Sequence, residues 1–326
     1  MIRPASDWKV IGKILQKLYI FAKSTGLQSY EIDLQIDGML LAAVRCNPCK
    51  GGALLHSDTN TALTLRGVKR IVPVTNGVAV IAENSWYAMQ ALDAVIFEWG
   101  DAPYPDNQEA HWAAVAQSFT AENLDRVWRD DGDVTSILKT GQDIDVEYRA
   151  PYVAHQLLEP LSAVVRVTER SADVWAAHQM RRFVQQRVAE TAGLKPQQVR
   201  FHNQFAGGSF GHRLEFDNID RATEVAMQMK GIPVKLIFSR EEDFAQDYPR
   251  QIAMARAQGR AQGGQVETLD LHIAPPSATR SQMGRVGLPM PGPDVQLEAG
   301  AWNAPYGLAH FRVSAYTVPE LRPTSS

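Results

Sequence analysis

The chain has 326 residues, of which 45% are hydrophobic and 21% charged, with a formal charge of −3. That length favours two domains of ordinary globular composition over a disordered chain. So mild an acidity, without basic runs interleaved with aromatics, excludes nucleic acid as a partner.

No apolar stretch approaches the ~20 residues of a membrane-spanning helix, and Met1–Lys13 lacks the pattern of a signal peptide, so the default expectation is a cytoplasmic chain. In the first hundred residues, Glu31–Ile36, Met39–Val44, Lys69–Val74 and Gly77–Ala82 read as strands, with short hairpin signals at Asp37-Gly38 and Asn76-Gly77. Behind the capping pair Asn84-Ser85, the apolar residues Trp86, Met89, Leu92, Val95 and Ile96 recur at helical spacing, predicting one amphipathic helix ended at Gly100. Asp101–Asn107 breaks the chain with two prolines, and His111–Val127 reads as helix interrupted near Thr120.

From Asp143 onward the pattern predicts strands Ile144–Tyr148 and Leu161–Thr168, then a long helix Val174–Ala192 ended by Gly193. Strand Gln198–Phe205, a glycine-rich turn, helix Asn218–Lys230 and strand Pro233–Ser239 follow, the order of a βαβ-like unit. Val266–Ile273 adds a strand, and Ala274–Gly307 reads as a long Pro/Gly-rich loop whose Met283, Leu288, Met290 and Trp302 suggest a docking face.

The two cysteines form one C-x-x-C, Cys46 and Cys49, beside Pro48 and Gly51-Gly52. A structural zinc or an iron–sulfur cluster takes about four protein ligands, so these read as incidental thiols in a loop. The more informative segment is Ala206-Gly207-Gly208-Ser209-Phe210-Gly211, which turns a strand into a helix. Its glycines allow positive φ and let amides converge on an anionic or oxo ligand near a helix N-terminus. A tight βα turn with no ligand is the alternative. It lacks both the Lys-Ser/Thr of a P-loop and the G-x-G-x-x-G spacing of a dinucleotide site.

Four segments occur together in one order: Tyr152 through Glu159-Pro160, Val174-Trp175-Ala176-Ala177-His178-Gln179, the Gly207–Gly211 turn, and Pro233-Val234-Lys235 through Ser239–Asp243. With Trp8–Lys13, Ile36–Ala42, Gly67-Val68 and Val78–Ala82 ahead of them, the chain resembles the large subunit of xanthine dehydrogenase/aldehyde oxidase-type molybdenum hydroxylases. The resemblance is to the isoquinoline 1-oxidoreductase beta-subunit branch, which includes membrane-bound aldehyde dehydrogenases.

The resemblance implies an α+β fold: an α/β-hammerhead domain at 1–107, a helical connector at 108–142, and the first part of a molybdopterin-binding domain at 143–326. It implies molybdopterin in its cytosine dinucleotide form, contacted by Gln179 and by Gly207, Gly208, Phe210 and Gly211. The implied activity is oxidation of aldehydes or N-heteroaromatic compounds with water as oxygen source. Iron–sulfur clusters would sit on a small partner subunit, a membrane cytochrome subunit could follow, and the complete enzyme could face the periplasm.

Glu159 matches the family's Met-Glu-Pro position, with Leu158 in place of methionine, and reads as architectural; Ser239–Asp243 reads as a surface or interdomain polar turn. Leu214 stands on the substrate side where xanthine dehydrogenases carry a glutamate, which points away from xanthine. The family's catalytic glutamate belongs to a later segment, so no catalytic residue is assigned, and the chain is expected to be an internal fragment or a split subunit. Two other readings stay open: a scaffold of this fold without cofactor, and an unrelated anion-binding α+β module.

Overall fold

A computed structural model describes residues 3–319 and 321–325. The strands are β1 Leu40–Cys46, β2 Leu54–Asp58, β3 Val68–Val74, β4 Gly77–Ala82, β5 Ile96–Trp99, β6 Leu124–Asp131 and β7 Ile144–Ala150. They continue with β8 Ser162–Val167, β9 Ala172–Ala176, β10 Val199–Asn203, β11 Val234–Ile237, β12 Ala253–Gln262, β13 Gln265–Ala274 and β14 His310–Tyr316. Among the described residues they form a seven-stranded sheet in the order β10-β9-β8-β11-β1-β4-β3, a five-stranded sheet β6-β14-β13-β12-β7, and the pair β2-β5. The fold is mixed α+β.

The seven-stranded sheet joins strands from both sides of residue 107, because β1 runs parallel to β11 with Leu40 opposite Val234 and Ala42 opposite Leu236. The physical basis is the two-sided burial of β4, whose six residues are all buried. Ala79 and Ile81 enter the main core with β8, β9, β11 and the helices Arg181–Ala192 and Asp217–Met227. Val80 and Ala82 enter a second core beneath the helix Ser85–Asp93. A near-continuous apolar run is the mark of a strand covered on both faces, and each fully buried Ile or Leu contributes roughly 1.5–3 kcal/mol. The 108–142 segment likewise contains β6, which pairs with β14 and is integral to the second sheet.

The hairpin at Thr75-Asn76 forms as expected, with Val74 opposite Gly77 and Asn76 at φ +58. Other local expectations are corrected by the structure. Glu31–Ile36 is not a strand; Glu31–Asp33 is a 3-10 turn whose amides go to distant partners, Glu31 to the Phe205 carbonyl and Ile32 to the Glu159 carboxylate. The helix behind Asn84 stops at Asp93, and Ile96–Trp99 is strand. The helix Gln108–Gln117 is followed by β6 rather than by more helix. Val174–Ala176 belongs to β9, and the helix begins only at Arg181, so Gln179 lies in the connecting loop.

The stretch after Ala274 is not bare loop. It contains the helix Ala278–Arg285, capped by Ser277, and is tied down by Arg280 to Asp125 and by Arg285 to Glu215. Among the described residues no helix is long and apolar enough to cross a membrane.

Candidate functional site

Strands β10, β9, β11 and β1 point the same way, as their pairings require. Their carboxyl ends therefore gather the loop holding Gln179, the glycine turn after β10, the segment Ser239–Asp247 after β11, and Cys46–Lys50 after β1. Ligands of open α/β sheets bind at such strand ends, where loops diverge and the backbone is free to meet them.

The glycine turn is backbone-strained. Gly208 has φ +120, Phe210 +53 and Gly211 +99, and a non-glycine residue at positive φ persists only where its surroundings hold it. Phe210 projects outward, 72% exposed. Glu159 holds the turn from beneath: Oε2 accepts the Gly207 amide at 2.6 Å and the Arg213 guanidinium at 2.6 Å, and Oε1 accepts the Ile32 amide at 3.0 Å. This carboxylate is thus architectural, but it ties together segments remote in sequence rather than local amides.

Arg213 is 1% exposed, and besides Glu159 it reaches Glu31 at 2.9 Å and donates to the Gly208 carbonyl at 2.9 Å. Glu31 in turn accepts the Ala177 amide at 2.8 Å. Burial drives the Glu31 pKa up to about 8 against the pull of Arg213. One buried arginine and two glutamates therefore fix the glycine turn and the loop of Gln179 to each other.

On the outer side the Ser209 hydroxyl donates to the Gln179 side-chain oxygen. Around this pair lies a shallow pocket of about 470 Å³, lined also by Ala206, Asn203, Gln204 and Arg181. The structure brings Gln179 together with the glycine turn, as the motif order implies. Leu214 is half-buried, closes the short turn His212–Leu214, and is not among the residues lining this pocket. Neither are Gly207, Gly208, Phe210 and Gly211, which shape its wall through Ala206 and Ser209.

Of the two alternatives for Ser239–Asp243, a surface or an interdomain polar turn, the buried Glu242 and Asp243 do not fit the first, while the contacts to Cys46 and Asn47 run toward residues 1–107. Ser239 caps the helix Arg240–Ala245, whose Glu242 and Asp243 are buried. Glu242 accepts the Cys46 amide at 2.9 Å and Gln246 donates to the Asn47 carbonyl at 2.9 Å. Asp243 and Asp247, one residue further on, face His212 instead, at 3.4 and 2.9 Å. Asp247 also accepts the His155 backbone amide and lies 2.8 Å from its Nδ1. His155, His212 and Asp247 thereby form a buried cluster with ligand-type atoms within 4.8 Å of one another.

Burial opposes protonation of His212, yet Asp243 and Asp247 outweigh it and raise the pKa to about 9. The His212 imidazole thus lies between two aspartates, and Arg240 stands on Asp243 at 3.1 Å. Sequence reading missed Glu31, Arg213 and His212, because a lone charged residue in an apolar or glycine-rich stretch carries no local mark of its remote partner.

The cysteine thiols take no part in this arrangement, although the Cys46 amide does. Cys46 is buried at the end of β1, where burial pushes its thiol up to about 12, while Cys49 is exposed and both are unpaired.

The donor set fits an anionic, oxo-bearing group. The pocket presents the Gln179 amide, Asn203, Gln204 and the Arg181 cation, with the paired Arg213 behind them, and no carboxylate lines it. The Gln179 oxygen is taken by Ser209, which leaves the side-chain NH₂ without a protein acceptor among the described residues.

The model of the molybdopterin cofactor-binding domain matches residues 117–318, more than half of the chain, and the chain belongs to that family. It is 27% identical over 270 residues to the isoquinoline 1-oxidoreductase subunit beta of Brevundimonas diminuta, covering 79% of this chain and 34% of that protein. It is also 27% identical over 266 residues to the membrane-bound aldehyde dehydrogenase [pyrroloquinoline-quinone] of Gluconacetobacter polyoxogenes, covering 78% and 34%. The chain therefore spans about a third of the length of these two relatives.

Among solved structures, quinoline 2-oxidoreductase from Pseudomonas putida 86 superposes with a TM-score of 0.67 at 16% identity, over 93% of this chain and 44% of that one. The aldehyde oxidoreductase from Desulfovibrio gigas gives 0.66 at 18%, over 92% and 38%. At these identities the likeness is one of fold.

Proposed function

We propose that this chain supplies the Gln179 side of a molybdopterin site in an oxidoreductase acting on aldehydes or N-heteroaromatic compounds. The observation that carries the reading is the Gln179–Ser209 contact over a carboxylate-free pocket at the strand ends. When bound, the cofactor supplies two-electron oxidation of a carbon centre with water as the oxygen source. The chain's own residues position it: Gln179 offers an N–H donor, Ser209 fixes the orientation of that amide, and the strained turn at Phe210 walls one side. The glycines of the turn keep that wall thin by withholding side-chain volume. Arg213, Glu31 and Glu159 keep the turn and the Gln179 loop in register.

The finer reading extends further. Residues 1–107 are an α/β-hammerhead segment interlocked with the cofactor-binding segment at 143–326 through β1 and β11. The cofactor is the cytosine dinucleotide form, and Leu214 lies toward the substrate, where an apolar side chain suits an aldehyde better than a purine. Iron–sulfur clusters on a partner subunit would supply the path for electrons, since one buried and one exposed thiol are too few to ligate a cluster here.

The test is pterin content. The chain is expressed in a host that makes the cofactor, and fluorescent oxidised pterin is measured per mole of purified chain. The Gln179→Ala/Ser209→Ala double variant should retain at least about tenfold less than the parent chain, the loss of two good hydrogen bonds to a charged group. Equal pterin in both, or none in either, would defeat the proposal and leave the cofactor-free scaffold.

A further inference from the structure

A second cavity, of about 700 Å³, opens where the Cys46–Gly52 loop, the hairpin turn at Thr75-Asn76, the helices Asp217–Met227 and Ala278–Arg285, and residues 317–318 and 321–324 converge. It is distinct from the Gln179 pocket and shares no lining residue with it. Its lining is basic. Lys50, Arg221, Arg280, Arg285 and Arg322 all face it, and Asp217 is the one carboxylate among the lining residues.

Four of these cations have a counter-charge at hand: Lys50 has Asp217 at 3.3 Å, Arg221 has Glu224 at 2.8 Å, Arg280 has Asp125 at 2.9 Å and Arg285 has Glu215 at 2.6 Å. Arg322 has none among the described residues. It donates only to the main-chain carbonyls of Ala245 and Asp247, at 3.2 and 3.4 Å, and its Nε is buried without a hydrogen-bond partner. The Arg322 guanidinium therefore lines the cleft with only carbonyl dipoles against its charge, and leaving a charged donor incompletely paired is costly.

The floor is built to keep the charge in place. Lys50 is only 6% exposed, donates to the Gln246 carbonyl at 2.7 Å, and lies 3.9 Å over the Tyr248 ring. The Arg285 guanidinium stands at the same distance, 3.9 Å, from that ring centroid. Tyr248 thus holds two cations at the cleft through its π-system, and cation–π contacts of this kind strengthen when desolvated.

We infer that this cleft is a binding site for a phosphate-bearing small molecule. Guanidinium groups from separate segments, Arg221, Arg280 and Arg322, approach one volume, and a tetrahedral dianion can accept from several directions where a planar carboxylate accepts chiefly in one plane. The volume exceeds what inorganic phosphate fills and lies in the range of small-ligand pockets. Such a phosphate belongs either to a free nucleotide-like compound or to a phosphate of the pterin cofactor itself.

Isothermal titration of the 326-residue chain with inorganic pyrophosphate at low ionic strength tests the site. Saturable binding is expected, weakened at least about tenfold by Arg322→Gln and by Arg280→Gln, the loss of one charge-assisted contact. The exposed Arg182→Gln should leave it unchanged. Melting temperature and far-ultraviolet circular dichroism establish that each variant is folded, and Arg280→Gln stands alone if Arg322→Gln is not.

Measuring pterin content in the same variants separates the sources. Weaker pyrophosphate binding with unchanged pterin assigns the cleft to a free phosphate compound, and a parallel loss of both assigns it to the cofactor's phosphate. Absence of saturable binding, or an equal loss in Arg182→Gln, overturns the inference.

Discussion

A Cβ atom built on Gly207 would sit 2.6 Å from the Cβ of Glu159, while the same two residues are joined by the 2.6 Å hydrogen bond from the Gly207 amide to Oε2. The glycine at 207 is therefore required by close approach to the carboxylate that holds the turn, not by contact with a ligand. Gly207→Ala should push Glu159 away from both Arg213 and the Ile32 amide. Overpacking of this kind costs typically ~1–3 kcal/mol, readable as a lower urea midpoint. An unchanged midpoint would show that the turn is free to move off Glu159.

Stability should fall with rising pH through the buried Glu31. Its folded pKa, raised by burial to about 8 from 4.5, means that the folded state holds a proton the unfolded state has released. The contribution is complete below pH 4.5 and is lost progressively as pH rises to about 8, at up to ~1.4 kcal/mol per unit. Glu31→Gln mimics the protonated form, so its stability relative to the parent chain should improve steadily from pH 5 to pH 8. A pH-independent difference between the two would refute the burial account.

His212 should act in the same direction in a later window. With its pKa raised to about 9 from 6.5, its contribution is full below pH 6.5 and disappears as pH rises through 9. His212→Gln should flatten the stability profile between those values while lowering stability at pH 6, because Asp243 and Asp247 then lose their cation. Nuclear magnetic resonance of the ring would give the titration directly, and an imidazole already neutral at pH 7 would count against the ionic cluster.

One thiol of the two should react with a disulfide reagent at pH 8. Cys49 is exposed, whereas Cys46 is buried with its thiol held up to about 12, and only the thiolate attacks. Two fast equivalents in the native chain, or a change in bound metal on Cys46→Ser/Cys49→Ser, would contradict the assignment of these residues as incidental.

The sequence by itself determined what is encoded within a few consecutive residues. The β3–β4 hairpin follows from Asn76 next to an apolar run, the helix start from Asn84, and the turn after β10 from three closely spaced glycines; the order of motifs then pointed to Gln179. Some strands were hidden even locally: in β12, Ala253–Gln262, alanine and glycine alternate with arginine and glutamine from Ala255 onward, and side chains that small give a weak alternation.

Tertiary structure alone decided which distant groups meet. Glu31 opens a segment that reads as a strand, and nothing near Arg213 in the sequence marks it as buried. The two are buried together, in contact at 2.9 Å across 182 residues, and Arg213 has its counter-charge in Glu159 at 2.6 Å. A charge can leave water only when its partner leaves with it, and no local pattern names a partner that far away. The joining of β1 to β11 has the same origin, since backbone groups at a strand edge accept any neighbour the packed core brings to them.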